Sequence, residues 1–169
     1  LQRAAEFPLL HLSLDGFLEQ QGPKRWNAFP DKQAVWDRML DGFHTSIEAM
    51  LRTGNHVVVD HVLQEKRWLL ALVASLQAHN IYFIGVHCVP AVAQARLDAR
   101  GVRDTETIAF QLACIHRHGV YDCEVHTGTA PADQLVRQLL RHDGNWVPMA
   151  LRQLAGLLFP GSLARHEAL

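Results

Sequence analysis

Four short apolar runs interrupt longer stretches in which apolar and polar residues alternate at helical spacing. The runs are Pro8 to Leu14 (PLLHLSL), His56 to Asp60 (HVVVD), Ile81 to His87 (IYFIGVH) and Asp122 to His126 (DCEVH). The middle two are continuous and partly β-branched, the pattern of strands covered on both faces. Helical spacing fills Asp31 to Arg52, Gln64 to His79, Ala91 to Arg100, Thr105 to His118 and Ala132 to Arg141. Strands alternating with helices predict βαβ crossovers, a parallel sheet and an α/β fold. The punctuation agrees: Thr53-Gly54-Asn55 and His79-Asn80 close helices, while Pro90 and Pro131 fall where a first helical turn begins. A last helical pattern (VPMALRQLAGLLF) lies within Asn145 to Leu169, which reads as a C-terminal helix and polar tail packing on the domain.

Composition narrows the function classes. The chain has 169 residues, 49% of them hydrophobic, the length of one ordinary domain. Sixteen Lys and Arg against seventeen Asp and Glu leave a charge of -1, which argues against binding nucleic acid or anionic membrane through a broad basic face. No apolar run is long enough for a membrane span, and Leu1 onward lacks a secretory pattern. Cys88, Cys114 and Cys123 form no Cys-x-x-Cys pair, so a reducing cytoplasm is expected rather than a disulfide framework. Leu1 to Ala5 (LQRAA) has the look of a helix tail.

Candidate chemistry collects at strand ends, since open parallel sheets bind ligands beyond the carboxyl ends of their strands. Those ends carry Asp15, then Asp60 and His61, then His87, then His126 and Thr127. Asp15 and Asp60 could face one crevice; equally, Asp15 could cap the helix that starts at Gly16. Arg96, Arg100 and Arg103 follow at spacings of four and three, with Gly101 as a hinge. They suit a lid closing on phosphate, or a solvated face with ion pairs to Asp98 or Asp104, and pattern alone favours the second. Trp26, Phe29, Trp36 and Phe43 could sandwich an arene, although aromatics at helical spacing more often fill a core. Cys114, His116, His118, Cys123 and His126 match no standard zinc spacing, and no metal ligands are assigned. His116 and Tyr121 are expected to position the segment entering the last strand.

Read in order, the segments LSLDGF with Asp15, VVVD with Asp60, GVHCVPAVAQARLDARGVR from Gly85 to Arg103, and Gln111 to Thr127 with His116, Tyr121-Asp122, Glu124 and Val125 resemble the chloramphenicol phosphotransferase family. These are P-loop kinases with a fold like that of nucleotide and shikimate kinases, and the resemblance runs from Leu1 to about Leu140. It implies a three-layer P-loop kinase-like domain over 1–143 with a lid near 96–105, followed by a C-terminal helix and tail over 144–169. It implies ATP and Mg2+ as cofactors and a small-molecule alcohol as acceptor, an antibiotic among the candidates. Asp15 matches the base that takes the acceptor proton, and Asp60 the acidic partner near the magnesium-phosphate centre. Arg100 and Arg103 match lid arginines on ATP phosphates, with Arg103 catalytic, and Thr127 lies on the adenine side by fold analogy.

Three departures qualify the expectation. His61 stands where the family can carry a second acid, and His87 where it has Arg before the Cys. No Gly-x-x-x-x-Gly-Lys-Ser/Thr run occurs in the 169 residues. The expectation is therefore a chain lacking its first strand and phosphate loop, on the order of twenty residues, and inactive without them. The alternative is a non-catalytic nucleotide-binding or degenerate P-loop protein.

Overall fold

Parallel pairing joins the apolar runs two by two in the computed structural model, which describes residues 1–101, 105–128, 130–140 and 147–159. The chain divides into two compact units, Leu1–Val62 and Leu63–Leu169. Each contains one parallel strand pair with helices before, between or after its strands, so the α/β class expected from the sequence holds. The expected single sheet is instead two two-stranded sheets among the described residues. Alternation of apolar positions identifies strands and their faces but not their partners.

In the first unit, a single 3-10 turn at Gln2–Ala4 replaces the helix tail read from LQRAA. Strand β1 (Leu9–Ser13) leads into the short helix α1 (Leu14–Glu19), then the long helix α2 (Lys32–Arg52), and the chain returns as β2 (His56–Asp60). The register runs from Leu9 opposite His56 to Ser13 opposite Asp60. Helix α2 buries Leu40, Phe43, His44 and Ile47, positions i, i+3, i+4 and i+7 of one face. Phe43 and Ile47 are each 1% exposed. Truncating such a Phe to Ala costs about 3–5 kcal/mol.

The end of α2 is a Schellman motif, as the Thr-Gly-Asn punctuation predicts. Asn55 N–H donates to the Met50 carbonyl at 3.1 Å and Gly54 N–H to that of Leu51 at 3.0 Å, with Gly54 at φ +83°. Trp26 and Trp36 pack with ring centroids 4.8 Å apart and planes at 49°. Phe29 is exposed, so of the four aromatics only Phe43 is core outright. Val59, at 36% exposure, shows that β2 is not covered on both faces as its sequence suggests. A strand of a two-stranded sheet is always an edge strand.

The second unit begins with α3 (Lys66–Leu76), which buries Trp68, Leu69, Leu72, Val73 and Leu76. It packs on α7 (Ala150–Leu158), whose buried face is Ala150, Leu151, Leu154 and Ala155. Between them lie β3 (Ile84–His87), α4 (Pro90–Ala99), α5 (Thr105–Cys114), β4 (Cys123–His126) and α6 (Ala132–Leu140). The β3–β4 register runs from Ile84 opposite Cys123 to His87 opposite His126.

Strand β3 starts three residues later than the apolar run, and just before it Asp122 meets Phe83 with both backbone and side chain, its N–H donating to the Phe83 carbonyl at 2.8 Å. Asp122 Oδ2 accepts from Phe83 N–H at 2.8 Å, while its Oδ1 accepts from Met149 and Ala150 N–H at 2.7 and 2.9 Å. One carboxylate thereby ties β3 to the first turn of α7. Gly85 sits under Tyr121, where a Cβ would come within 2.9 Å of the ring. Only glycine admits that close approach without a shift.

Candidate active site

In the first unit, an acidic group of candidate residues is built where β1 and β2 end together. Ser13, in extended conformation, is the N-cap of α1, and its Oγ accepts from Gly16 N–H at 2.9 Å. Asp15 is therefore not the cap; it lies in the first turn of α1 and is exposed. Ser13 wins the cap because its hydroxyl sits two residues earlier, at the last strand position, and reaches the N–H three residues on. Asp60, the last residue of β2, pairs in register with Ser13 and is also exposed. Two carboxylates thus stand at the adjacent carboxyl ends of one parallel pair, neither bonded to another side chain among the described residues.

Behind Asp60 lies a histidine pair. His44 on α2 is 7% exposed, and its Nε2 is 2.9 Å from Nε2 of His61, the residue after Asp60. Phe43 packs edge-on against the His61 ring at 5.5 Å. Burial lowers the pKa of both rings, His61 to about 4 with His44 adding to the effect, whereas Asp41 opposes the shift at His44. A bond between two imidazole nitrogens needs one N–H donor and one bare acceptor.

A separate, basic group of candidate residues belongs to the second unit. Arg100 is the C-cap of α4 and exposed, and Gly101 follows with φ +70°. Arg103 and Asp104 lie outside the described residues. Arg96 does not pair with Asp98, whose carboxylate accepts from Gln94 at 2.8 Å. Instead its guanidinium forks onto Thr127: Nη1 donates to Oγ1 at 3.0 Å and Nη2 to the carbonyl, with a further contact from Nη1 to Cys88 Sγ at 3.6 Å. Thr127 in turn donates its N–H and its hydroxyl to the His87 carbonyl at 2.8 and 3.1 Å. Thr127, expected beside a nucleotide, is thus fixed at the end of β4 by groups from β3 and α4.

Beneath that clamp, His87 stacks between His116 at 3.9 Å and His126 at 4.9 Å, and its Nε2 meets Glu124 Oε2 at 2.6 Å. His116 Nδ1 lies 2.6 Å from the Tyr121 hydroxyl, the contact by which this pair holds the segment entering β4. Burial, with Glu124 adding to it, pushes the Tyr121 hydroxyl up to about 12, and burial followed by the neighbouring His87 lowers His116. Sequence patterning offered no signal for His44 as part of a pair, because an isolated His on an apolar helix face shows nothing about its partner. Arg96 was visible only as one of three spaced arginines.

The strand-helix alternation and the parallel pairs define an α/β fold, and the family match makes it P-loop kinase-like. The chain belongs to the chloramphenicol phosphotransferase-like protein family, whose pattern matches residues 1–143. It is similar to two curated proteins of Mycobacterium tuberculosis, "Putative O-phosphotransferase MT2714" of strain CDC 1551 / Oshkosh and "Putative O-phosphotransferase Rv2636" of strain ATCC 25618 / H37Rv. Each is 24% identical over 125 residues, which cover 74% of this chain and 55% of the relative. The chain therefore spans little more than half the length of the curated relatives it matches.

Proposed function

We propose that the full-length protein is an ATP- and Mg2+-dependent O-phosphotransferase acting on a hydroxyl of a small molecule. The observation that carries the proposal is the pair of exposed carboxylates, Asp15 and Asp60, at the adjacent ends of β1 and β2 in a chain of this family. Residues 1–143 are taken as the kinase-like domain and 144–169 as its C-terminal helix and tail.

Each role rests on the chemistry of its group. Asp15, held by no side-chain partner among the described residues, accepts the proton of the acceptor hydroxyl as its oxygen attacks. Asp60 offers the hard carboxylate oxygens that suit Mg2+. In the second unit, the guanidinium groups of Arg100 and Arg103 suit phosphate oxygens, and Thr127 at the end of β4 lies on the nucleotide side. ATP supplies the transferable γ-phosphoryl group when bound, and Mg2+ neutralises its charge. The 169 residues hold no Gly-x-x-x-x-Gly-Lys-Ser/Thr run, so their contribution to nucleotide binding is cationic rather than a glycine-rich cradle. Three free, part-exposed cysteines suit a reducing cytoplasm. An antibiotic acceptor would make the enzyme a resistance factor.

The test uses full-length protein, ATP and chloramphenicol as probe acceptor, followed by a panel of small alcohols. Asp15→Asn is expected to lower kcat by about 10²–10⁴-fold, and near-full turnover would remove the base assignment. Arg103→Ala is expected to damage kcat more than the acceptor KM; a pure loss of acceptor affinity contradicts the lid role. A second reading is a non-catalytic nucleotide-binding protein of the same fold. Calorimetry showing ATP binding without transfer to any acceptor would establish it.

A further inference from the structure

We infer that His61 is a positioning residue for Asp60, acting through its hydrogen bond to the buried His44. This deepens the phosphotransferase reading above and rests on it. Asp60 is exposed and has no side-chain partner among the described residues, so nothing but its backbone fixes where its carboxylate stands. On one side that backbone is set by the strand pairing of Asp60 with Ser13. On the other side the ladder has ended, and a residue just beyond a strand of an edge-only sheet is ordinarily free to move.

His61 occupies that position and is not free. Its Nε2 meets Nε2 of His44 at 2.9 Å, and His44 is locked in the apolar face of α2 between Leu40 and Ile47 at 7% exposure. Phe43, 1% exposed, closes the edge of the His61 ring at 5.5 Å. The longest helix of the unit is thereby bonded to the residue after the proposed metal-side carboxylate. Asp60 is held from both directions, by the ladder before it and by the imidazole bond after it. A carboxylate that must meet a Mg2+-phosphate centre loses effectiveness steeply with small displacements, which is the reason to anchor it.

The pair also constrains its own protonation. With one ring donating and the other accepting, one neutral imidazole must carry its hydrogen on Nδ1 and the other on Nε2. A glutamine at either position has both a donor and an acceptor at similar reach, so it preserves the bond where alanine cannot.

The experiment measures steady-state ATP turnover of the full-length protein with chloramphenicol and, separately, with water as acceptor, for His61→Ala, His61→Gln, His44→Gln, the His44→Gln/His61→Ala double variant and Asp60→Asn. His61→Ala is expected to lower kcat by about tenfold or more while the KM for ATP stays within about twofold, and His61→Gln to recover most of the loss. The double variant should be no worse than His61→Ala, because both act through one bond. Long-range 15N correlation spectra at neutral pH should show one Nδ1–H and one Nε2–H ring, a pattern abolished in His44→Gln. If Asp60→Asn is crippled while His61→Ala retains wild-type kcat, the positioning role alone falls. If Asp60→Asn also retains full turnover, or the wild type transfers phosphoryl to neither acceptor, the assignment of Asp60 falls and the positioning role with it. Should His61→Ala not fold, loss of kcat without loss of thermal stability in His44→Leu, which fills the site but cannot bond His61, supports the role, and unchanged kcat there overturns it.

Discussion

At the scale of single residues, the sequence located the carboxylates but not what surrounds them. Asp15 and Asp60 were legible because strand-end acids follow directly from the apolar runs before them. The choice between cap and chemistry for Asp15 was not, since it depended on Ser13 reaching Gly16 N–H. His44 and Arg96 were illegible for the same kind of reason, each acting through a partner seventeen or thirty-one positions away. Burial of the His44–His61 pair has a measurable sign. Burial lowers the pKa of both rings in the folded chain, that of His61 to about 4, while unfolded imidazoles take up protons near the ordinary 6.5. Between those values the unfolded state binds more protons, so stability rises with pH. The contribution is fully present above pH 6.5 and is lost as pH falls toward 4. Thermal unfolding at pH 5 against pH 7.5 should show His61 accounting for on the order of 2 kcal/mol, and His61→Gln should flatten the profile. Arg96 offers a second check. Lysine lacks the fork that binds the Thr127 hydroxyl and carbonyl together. Arg96→Lys should therefore loosen the loop almost as much as Arg96→Ala, read as faster amide exchange at Thr127 and Gly128; full protection in Arg96→Lys would count against the clamp.

At the scale of elements, strand β2 was legible to the residue, because the Thr-Gly-Asn turn fixes its start and the Schellman bonds fix the end of the helix before it. Gly54 carries that turn at φ +83°. Gly54→Ala should cost about 1 kcal/mol, visible as a lower urea midpoint with unchanged m. Strand β3 is three residues shorter than the apolar run suggests; at Phe83 the N–H goes to the Asp122 carboxylate, and no periodicity records such a bond. Asp122 also binds both N–H groups at the start of α7. Asp122→Ala should therefore destabilise the second unit by roughly 2–4 kcal/mol. Asp122→Asn should recover only part, since one of its two oxygens becomes a donor.

For the whole molecule, the order of strands and helices and the parallel sense were legible, whereas the division into two strand pairs was not. An apolar run states that a strand is to be covered without stating by what. The answer in each unit is incomplete: Leu10 and Val59 are 38% and 36% exposed on one sheet, and Val86 is 53% exposed on the other. Open strands with apolar side chains promote association between copies. The 169-residue chain in isolation should therefore show concentration-dependent light scattering, and Val86→Lys should lower it without changing the far-ultraviolet spectrum. Scattering indifferent to that substitution would place the association elsewhere.

The packed indoles of Trp26 and Trp36 have a consequence of an optical kind. Two chromophores 4.8 Å apart with planes at 49° form a chiral dimer whose electronic transitions couple. Circular dichroism should then contain an exciton couplet that vanishes in Trp26→Phe or Trp36→Phe and reports on the connection between α1 and α2. Whatever molecule settles beside that connection would announce itself as a change in the couplet, with no label attached and no knowledge of the reaction required.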